Sequence, residues 1–205
     1  MVVSQQVSVV ALFVGLFRSS WLEAAVVPVV VVVVLAGVLG AKAGLLVAAI
    51  LSALTPMLRT LTKDTSSDTI AFLALVLFGV HVLCADYAST AASIGVVAFP
   101  ASVSINAAVF AAVLLASRLD ASLRAVSALL LAAVALFALF PVLRRNARLC
   151  FPQNVDVLIA LLLAALSLAV LAKAVSLTAC AVHLAVLVFV SFVCPAWFLH
   201  VQIYK

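Results

Sequence analysis

Apolar residues in this chain come in long unbroken blocks, with short polar marks between them. Runs such as V-V-P-V-V-V-V-V-V-L-A (residues 26–36) and A-L-L-L-A-A-V-A-L-F-A-L-F (residues 128–140) neither alternate nor show a polar face. A strand of a membrane barrel would alternate apolar and polar residues over roughly 10 positions. Unbroken runs of about 20 residues match the hydrocarbon core of a bilayer crossed by a helix. In lipid every backbone N–H and C=O needs an internal partner, so the expected class is all-α, a polytopic helical membrane protein.

The punctuation predicts about eight crossings, at residues 2–17, 22–40, 43–58, 70–85, 88–117, 122–143, 155–172 and 174 to about 203. Gln5 and Gln6 lie in the first, as amides able to bond to a neighbouring helix. Pro28 lies in the second. Lys42 between Gly40 and Gly44 argues for a short loop over a dimerisation face. Pro56 predicts a kink or boundary at Thr55. Ser67 or Asp68 is expected to cap the fourth helix, with Asp68 favoured at the positive end of its dipole. The fifth run is long for one crossing, and Phe99-Pro100 is its expected break. Beyond that break Ser102 and Asn106 share a face, while Ala108, Ala112 and Ala116 recur every fourth residue and permit close helix approach. In the last run Cys194-Pro195 is the expected break, with Trp197, His200 and Tyr204 as interface residues.

Composition agrees. The 205 residues are 69% hydrophobic and 8% charged, where a soluble domain is about 45–50% apolar and about 25% charged. One transmembrane helical domain over residues 1–205 is the expected organisation. The net charge of +5 comes from eleven cations placed mostly at segment ends. Headgroup contact explains that placement, and no nucleic-acid partner is implied. If both chain ends share one side, five cations fall on that side and six on the other, so charge does not set orientation. The four cysteines show neither a C-x-x-C pair nor metal-ligand spacing.

Chemistry is concentrated between Arg59 and Tyr87. Asp64 and Asp68 stand four apart, as metal ligands could, yet a solvated loop plus a helix cap accounts for them, and neither a metal nor another cofactor is expected. His81 and Asp86 invite an acid–base reading. Five residues apart on a helix they face different ways, so the expectation is that His81 bonds across to another helix, through Asn106 or a serine. Arg144, Arg145 and Arg148 are the densest basic cluster, suited to an anionic lipid headgroup or to ordinary flanking charge. Arg118 offers its fork of donors to a carboxylate, a lipid phosphate or another subunit. No phosphate-binding loop, dinucleotide fingerprint, zinc-protease helix or nucleophile elbow occurs, and no soluble stretch is long enough for a nucleotide-binding domain.

The polar signposts also come in a telling order. T-P-M-L-R-T-L-T-x-x-x-S-x-D-T-I (residues 55–70) is followed by H-V-L-C-A-D-Y (81–87) and S-I-N-A-A-V-F-A-A-V-L-L-A-S-R-L (104–119). Then come A-L-F-P-V-L (138–143) and C-P-x-W (194–197). The set resembles one family of phosphatidylinositol N-acetylglucosaminyltransferase subunits, called PIG-C in animals and Gpi2 in yeast. The resemblance runs from about residue 55 to residue 204, and more faintly through Gln5-Gln6.

It implies a non-catalytic subunit of a multisubunit complex in the endoplasmic reticulum membrane. That complex moves N-acetylglucosamine from UDP-N-acetylglucosamine to phosphatidylinositol, the first step of glycosylphosphatidylinositol anchor synthesis. The sugar-nucleotide site belongs to a partner glycosyltransferase subunit, and both chain ends lie in the cytosol. No catalytic residue is then expected here. Thr60, Thr62, Ser66, Asp68, His81, Asp86, Tyr87, Ser104, Asn106, Ser117, Arg118 and Pro141 become candidates for contacts between helices or subunits. Arg118, Arg144, Arg145 and Arg148 become candidates for lipid headgroups.

The chain departs from the family pattern at Lys63, Asp64 and Phe140, and the family's soluble tails are expected to be largely absent. Two other classes are weighed. A transporter or channel would use the broken fifth run, but the two halves show no internal repeat. A membrane-embedded enzyme would use His81 and Asp86.

Overall fold

The computed structural model describes residues 2–19, 33, 37, 40–61, 65–85, 101–119, 122–150 and 155–203. Among these residues the secondary structure is helical, with no strand. In chain order the helices are α1 (Val2–Arg18), α2 (Ala41–Leu61), α3 (Ser67–Cys84), α4 (Ala101–Ala116), α5 (Leu123–Ala133), α6 (Phe140–Cys150), α7 (Val155–Ala174), α8 (Leu177–Val188) and α9 (Cys194–Ile203). A π-helical turn, Val134–Leu139, joins α5 to α6, and a second, Phe189–Val193, joins α8 to α9.

Four helical stretches are long and apolar enough to cross a membrane: Ser67–Cys84, Leu123–Arg144, Asp156–Ala174 and Leu177–Ile203. Val2–Arg18, Ala41–Met57 and Ser102–Ala116 are shorter apolar helices. Apart from residues 33, 37 and 40, the run at 22–40 with Pro28 lies outside the described residues, as do the Phe99-Pro100 break, Lys63, Asp64, Asp120 and Tyr204.

Hydroxyl groups set several helix starts. Ser66 is the N-cap of α3, accepting from the Thr69 amide at 3.2 Å, with Asp68 in the first turn. The cap is therefore one residue upstream of the expected Ser67 or Asp68, because an N-cap must keep extended backbone and the helix already begins at Ser67. Ser122 and Ser176 cap α5 and α8 in the same way. Gly40, at φ +88°, leads into α2 in a conformation that favours glycine.

The three prolines among the described residues, Pro56, Pro141 and Pro195, lie inside helices. Of the kink or boundary expected at Thr55, the boundary is not observed: α2 continues through Pro56 to Leu61. Just before Pro56, the Ser52 and Thr55 hydroxyls donate to the carbonyls of Ala48 and Leu51, each at 2.8 Å. Such side-chain bonds support a helix around a proline in an apolar medium. The break expected at Cys194-Pro195 is likewise a widening. The Cys194 amide bonds five residues back to Phe189, and the Phe140 amide, before Pro141, bonds to Ala135. A proline lacks an N–H and crowds the carbonyl four residues behind it, so a wider turn ahead of it keeps the preceding amide bonded.

The chain divides into two compact units, one formed by Met1–Ser19 with Ala147–Lys205, the other by Ser20–Asn146. In the first, α1 packs along α7, and α7 forms a hairpin with α8. Gly15 brings the two helices close: a Cβ there would sit 2.6 Å from Val170 Cγ1. In the second, α3 and α4 are the main pair, and α5 also packs on α4. The seam of α4 is alanine: Ala107, Ala108, Ala111, Ala112 and Ala116 are all buried. Small side chains let helices approach where no hydrophobic effect drives them together, so packing and hydrogen bonds carry the association.

Candidate functional site

Hydrocarbon solvates no polar group, so the buried polar side chains are where a role beyond packing is to be sought. In the second unit two of them meet, His81 of α3 and Ser104 of α4, which are 2% and 3% exposed. His81 Nδ1 lies 2.9 Å from the Ser104 carbonyl oxygen and 2.8 Å from Ser104 Oγ. A carbonyl oxygen only accepts, so Nδ1 carries the proton. The serine hydroxyl in turn donates to the His81 carbonyl at 2.9 Å. The two residues thus close a reciprocal clasp between two helices.

Phe137, fully buried in the π-helical turn, completes the node. Its ring meets the His81 imidazole edge-on at 5.1 Å and 77°, and meets Phe78 at 5.8 Å. The turn carries one more residue per hydrogen-bonded ring than an α-turn does, and this rephasing sets where Phe137 falls.

A serine beside a histidine invites a nucleophile reading, and the geometry answers it. Catalytic activation needs the imidazole to take the hydroxyl proton. Here the facing nitrogen already bears a proton and the hydroxyl is committed to a carbonyl. Asp86, the other half of the acid–base reading, lies outside the described residues, as do Thr62 and Tyr87. Asn106 is not the partner of His81: two positions from Ser104, it is exposed on another face of α4. Among the described residues no three His, Cys, Asp or Glu side chains are grouped as metal ligands would be.

The α3–α4 pair is pinned at its other end too. Arg118, in the turn that closes α4, donates through Nη2 to the Thr65 carbonyl, immediately before the Ser66 cap. Ser117 donates to the Leu114 carbonyl at 2.6 Å and so closes its own helix end. Asp68 is exposed. Thr60 lies near the end of α2, its side chain outside the described residues. Pro141 and Arg144 lie in α6, as do Arg145 and Arg148, whose side chains are outside the described residues.

A second histidine was missed at the level of sequence. His183 of α8 is buried, its Nε2 2.9 Å from Ser167 Oγ of α7. Ser167 donates to the Ala164 carbonyl at 3.0 Å, which leaves the histidine as donor. Cys180, one turn earlier, points its Sγ at the Leu168 carbonyl at 3.7 Å. The signal was available, since a histidine inside an apolar run is the same signal that marked His81. On α1, Gln5 Nε2 donates to the Asp156 carbonyl at 2.8 Å, while Gln5 Oε1 and Ser8 Oγ are buried with no hydrogen-bond partner among the described residues.

The arrangement holds helices together at buried polar points, and the sequence of the chain is similar to those of known proteins. The phosphatidylinositol N-acetylglucosaminyltransferase GPI2 subunit of Schizosaccharomyces pombe is 37% identical over 145 residues, covering 71% of this chain and 44% of that protein. The C subunits of phosphatidylinositol N-acetylglucosaminyltransferase from Bos taurus and Homo sapiens are 32% and 31% identical, each over 145 residues, 71% of this chain and 46% of the relative. The chain thus spans less than half the length of these relatives. No solved structure matches it. The profile of the GPI2 family, described as phosphatidylinositol N-acetylglucosaminyltransferase, matches residues 1–205, and the chain belongs to that family.

Proposed function

We propose that this chain is a non-catalytic membrane subunit of the complex that transfers N-acetylglucosamine from UDP-N-acetylglucosamine to phosphatidylinositol, the first step of glycosylphosphatidylinositol anchor biosynthesis. The observation that carries this reading is the family match over residues 1–205. The buried polar groups support the non-catalytic part. The His81–Ser104 and His183–Ser167 pairs are spent on helix contacts, and each histidine faces its serine as a donor.

The working picture is a scaffold in the endoplasmic reticulum membrane that holds a catalytic glycosyltransferase subunit and other membrane subunits together. It crosses the bilayer about eight times, with both ends in the cytosol: the four long apolar helices, the three shorter ones and the run at 22–40 make up that number. Arg144, Arg145 and Arg148 sit where α6 leaves the span and meet anionic headgroups, phosphatidylinositol among them. Arg118 does the same at the end of α4 while holding Thr65.

The test is genetic. Cells lacking the gene are expected to make no N-acetylglucosaminyl-phosphatidylinositol, and the full chain is expected to restore it. Normal synthesis without the gene would overturn the proposal.

A further inference from the structure

One polar side chain in the second unit lies on the side of its helix away from the packing that the described residues make. The buried face of α4 runs through Ser104, Ala108, Ala111 and Ala112. Asn106 lies about 200° around the helix from Ser104, at 100° per residue. It is exposed, as are Ser102 one turn before it and Phe110 one turn after it, the latter at 64%. Its amide has no hydrogen-bond partner among the described residues.

Depth makes this costly. Arg118 ends α4 beside the start of α3, where Asp68 lies, so two charged residues mark one membrane boundary. Asn106 is twelve residues inward from Arg118, a rise of about 18 Å. Half the hydrocarbon thickness is about 15 Å, which puts the amide near the midplane. Acyl chains neither donate nor accept hydrogen bonds, and a carboxamide has two donors and an acceptor to satisfy. The exposed leucines of α3 and its Phe72 need only lipid; Asn106 needs a polar side chain at its own depth.

We propose that the Ser102–Asn106–Phe110 face of α4 is the docking surface for a transmembrane helix of another subunit, an apolar helix bearing a carboxamide or hydroxyl side chain at the bilayer midplane. This rests on reading the chain as one subunit of a transferase complex. The relatives it matches carry the word subunit in their names, and a hetero-oligomer supplies the second helix. Asn106 provides the hydrogen bonds, Ser102 is small enough to let the helix approach, and Phe110 gives a packing ridge below it.

A photoreactive phenylalanine analogue incorporated at Phe110, in the full chain in its native membranes, tests the surface. The same analogue at Phe72, an exposed position on α3, is the comparison. The expected result is an adduct from Phe110 to a different polypeptide of the complex. Asn106→Leu should lower its yield by about 3- to 30-fold, the range that one interhelical hydrogen bond spans, and Asn106→Gln should retain most of it. The Phe72 adducts should not respond to either change. Adducts only to lipid, adducts only within this chain, adducts only to a second copy of it, or a Phe110 yield unchanged by Asn106→Leu would each overturn the proposal. Synthesis of N-acetylglucosaminyl-phosphatidylinositol in the same membranes separates the two readings. If the chain restores synthesis to deleted cells while the adduct fails, the docking surface alone is wrong; if synthesis never needed the chain, the subunit reading is wrong.

Discussion

His81 Nδ1 faces two oxygens of one residue, and only the hydroxyl could ever hand it a proton. The carbonyl beside it fixes the direction of the bond. This makes the three atoms unequal under mutation. Ser104→Ala removes the hydroxyl but leaves the carbonyl that accepts from His81, whereas His81→Leu removes the imidazole donor from both oxygens of Ser104 and leaves the hydroxyl only its bond to the backbone carbonyl of residue 81. His81→Leu is therefore expected to lower unfolding free energy in detergent by about 1–2 kcal/mol, and Ser104→Ala by less. His81→Asn, whose amide nitrogen can reach the place of Nδ1, should recover part of the loss. Titration of unfolding by denaturant would check the order, and equal losses for the leucine and alanine variants would contradict it. The need of His81 for a partner was legible in the sequence, because an imidazole within an apolar run has few alternatives. The identity of the partner was not. Ser102, Ser104 and Asn106 lie within two turns of one helix, and only the phase of α4 against α3, set by its alanine seam, separates them.

Along the helices, the spans and the alanine seam were readable because they depend on composition and on a four-residue spacing. The π-helical turns were not. They alter hydrogen bonding without altering the apolar pattern, so Phe137 could not be assigned to the node in advance. Both turns end two residues ahead of a proline. Pro141→Ala restores an N–H and removes the crowding that favours the wide turn, so Phe137 is expected to rotate off His81. In a double-mutant cycle Phe137→Ala and His81→Leu should couple by about 0.5–1.5 kcal/mol. In a Pro141→Ala background that coupling should fall toward zero. The α1–α7 contact carries a simpler prediction. Gly15→Ala drives a methyl into Val170 and should destabilise the pair by about 1–3 kcal/mol, and Val170→Ala should relieve part of this, again measured by unfolding in detergent.

For the whole chain, membrane class and family membership were legible, since runs of apolar residues and ordered motifs survive without knowledge of contacts. The pairing of α1 with α7 was not legible, because nothing local marks which of several apolar helices meets another. The proposed topology predicts that single cysteines placed near residues 2 and 203 react with a membrane-impermeant reagent from the same side, and that one near Lys63 reacts from the other. The assembly of the first unit also has an order in time. Gln5 and its acceptor at Asp156 are 151 positions apart. At roughly 5–20 residues per second, α1 leaves the ribosome roughly 8–30 s before the helix it must meet. For that interval Gln5 lacks its acceptor on α7, and the newborn chain is expected to be a substrate for quality control. A chain stopped at residue 146 should be cleared faster than the full chain in a pulse-chase experiment, and Gln5→Leu with Ser8→Ala should lengthen its lifetime. The polar face that ties α1 to α7 is thus a feature that leaves synthesis of the chain exposed to failure.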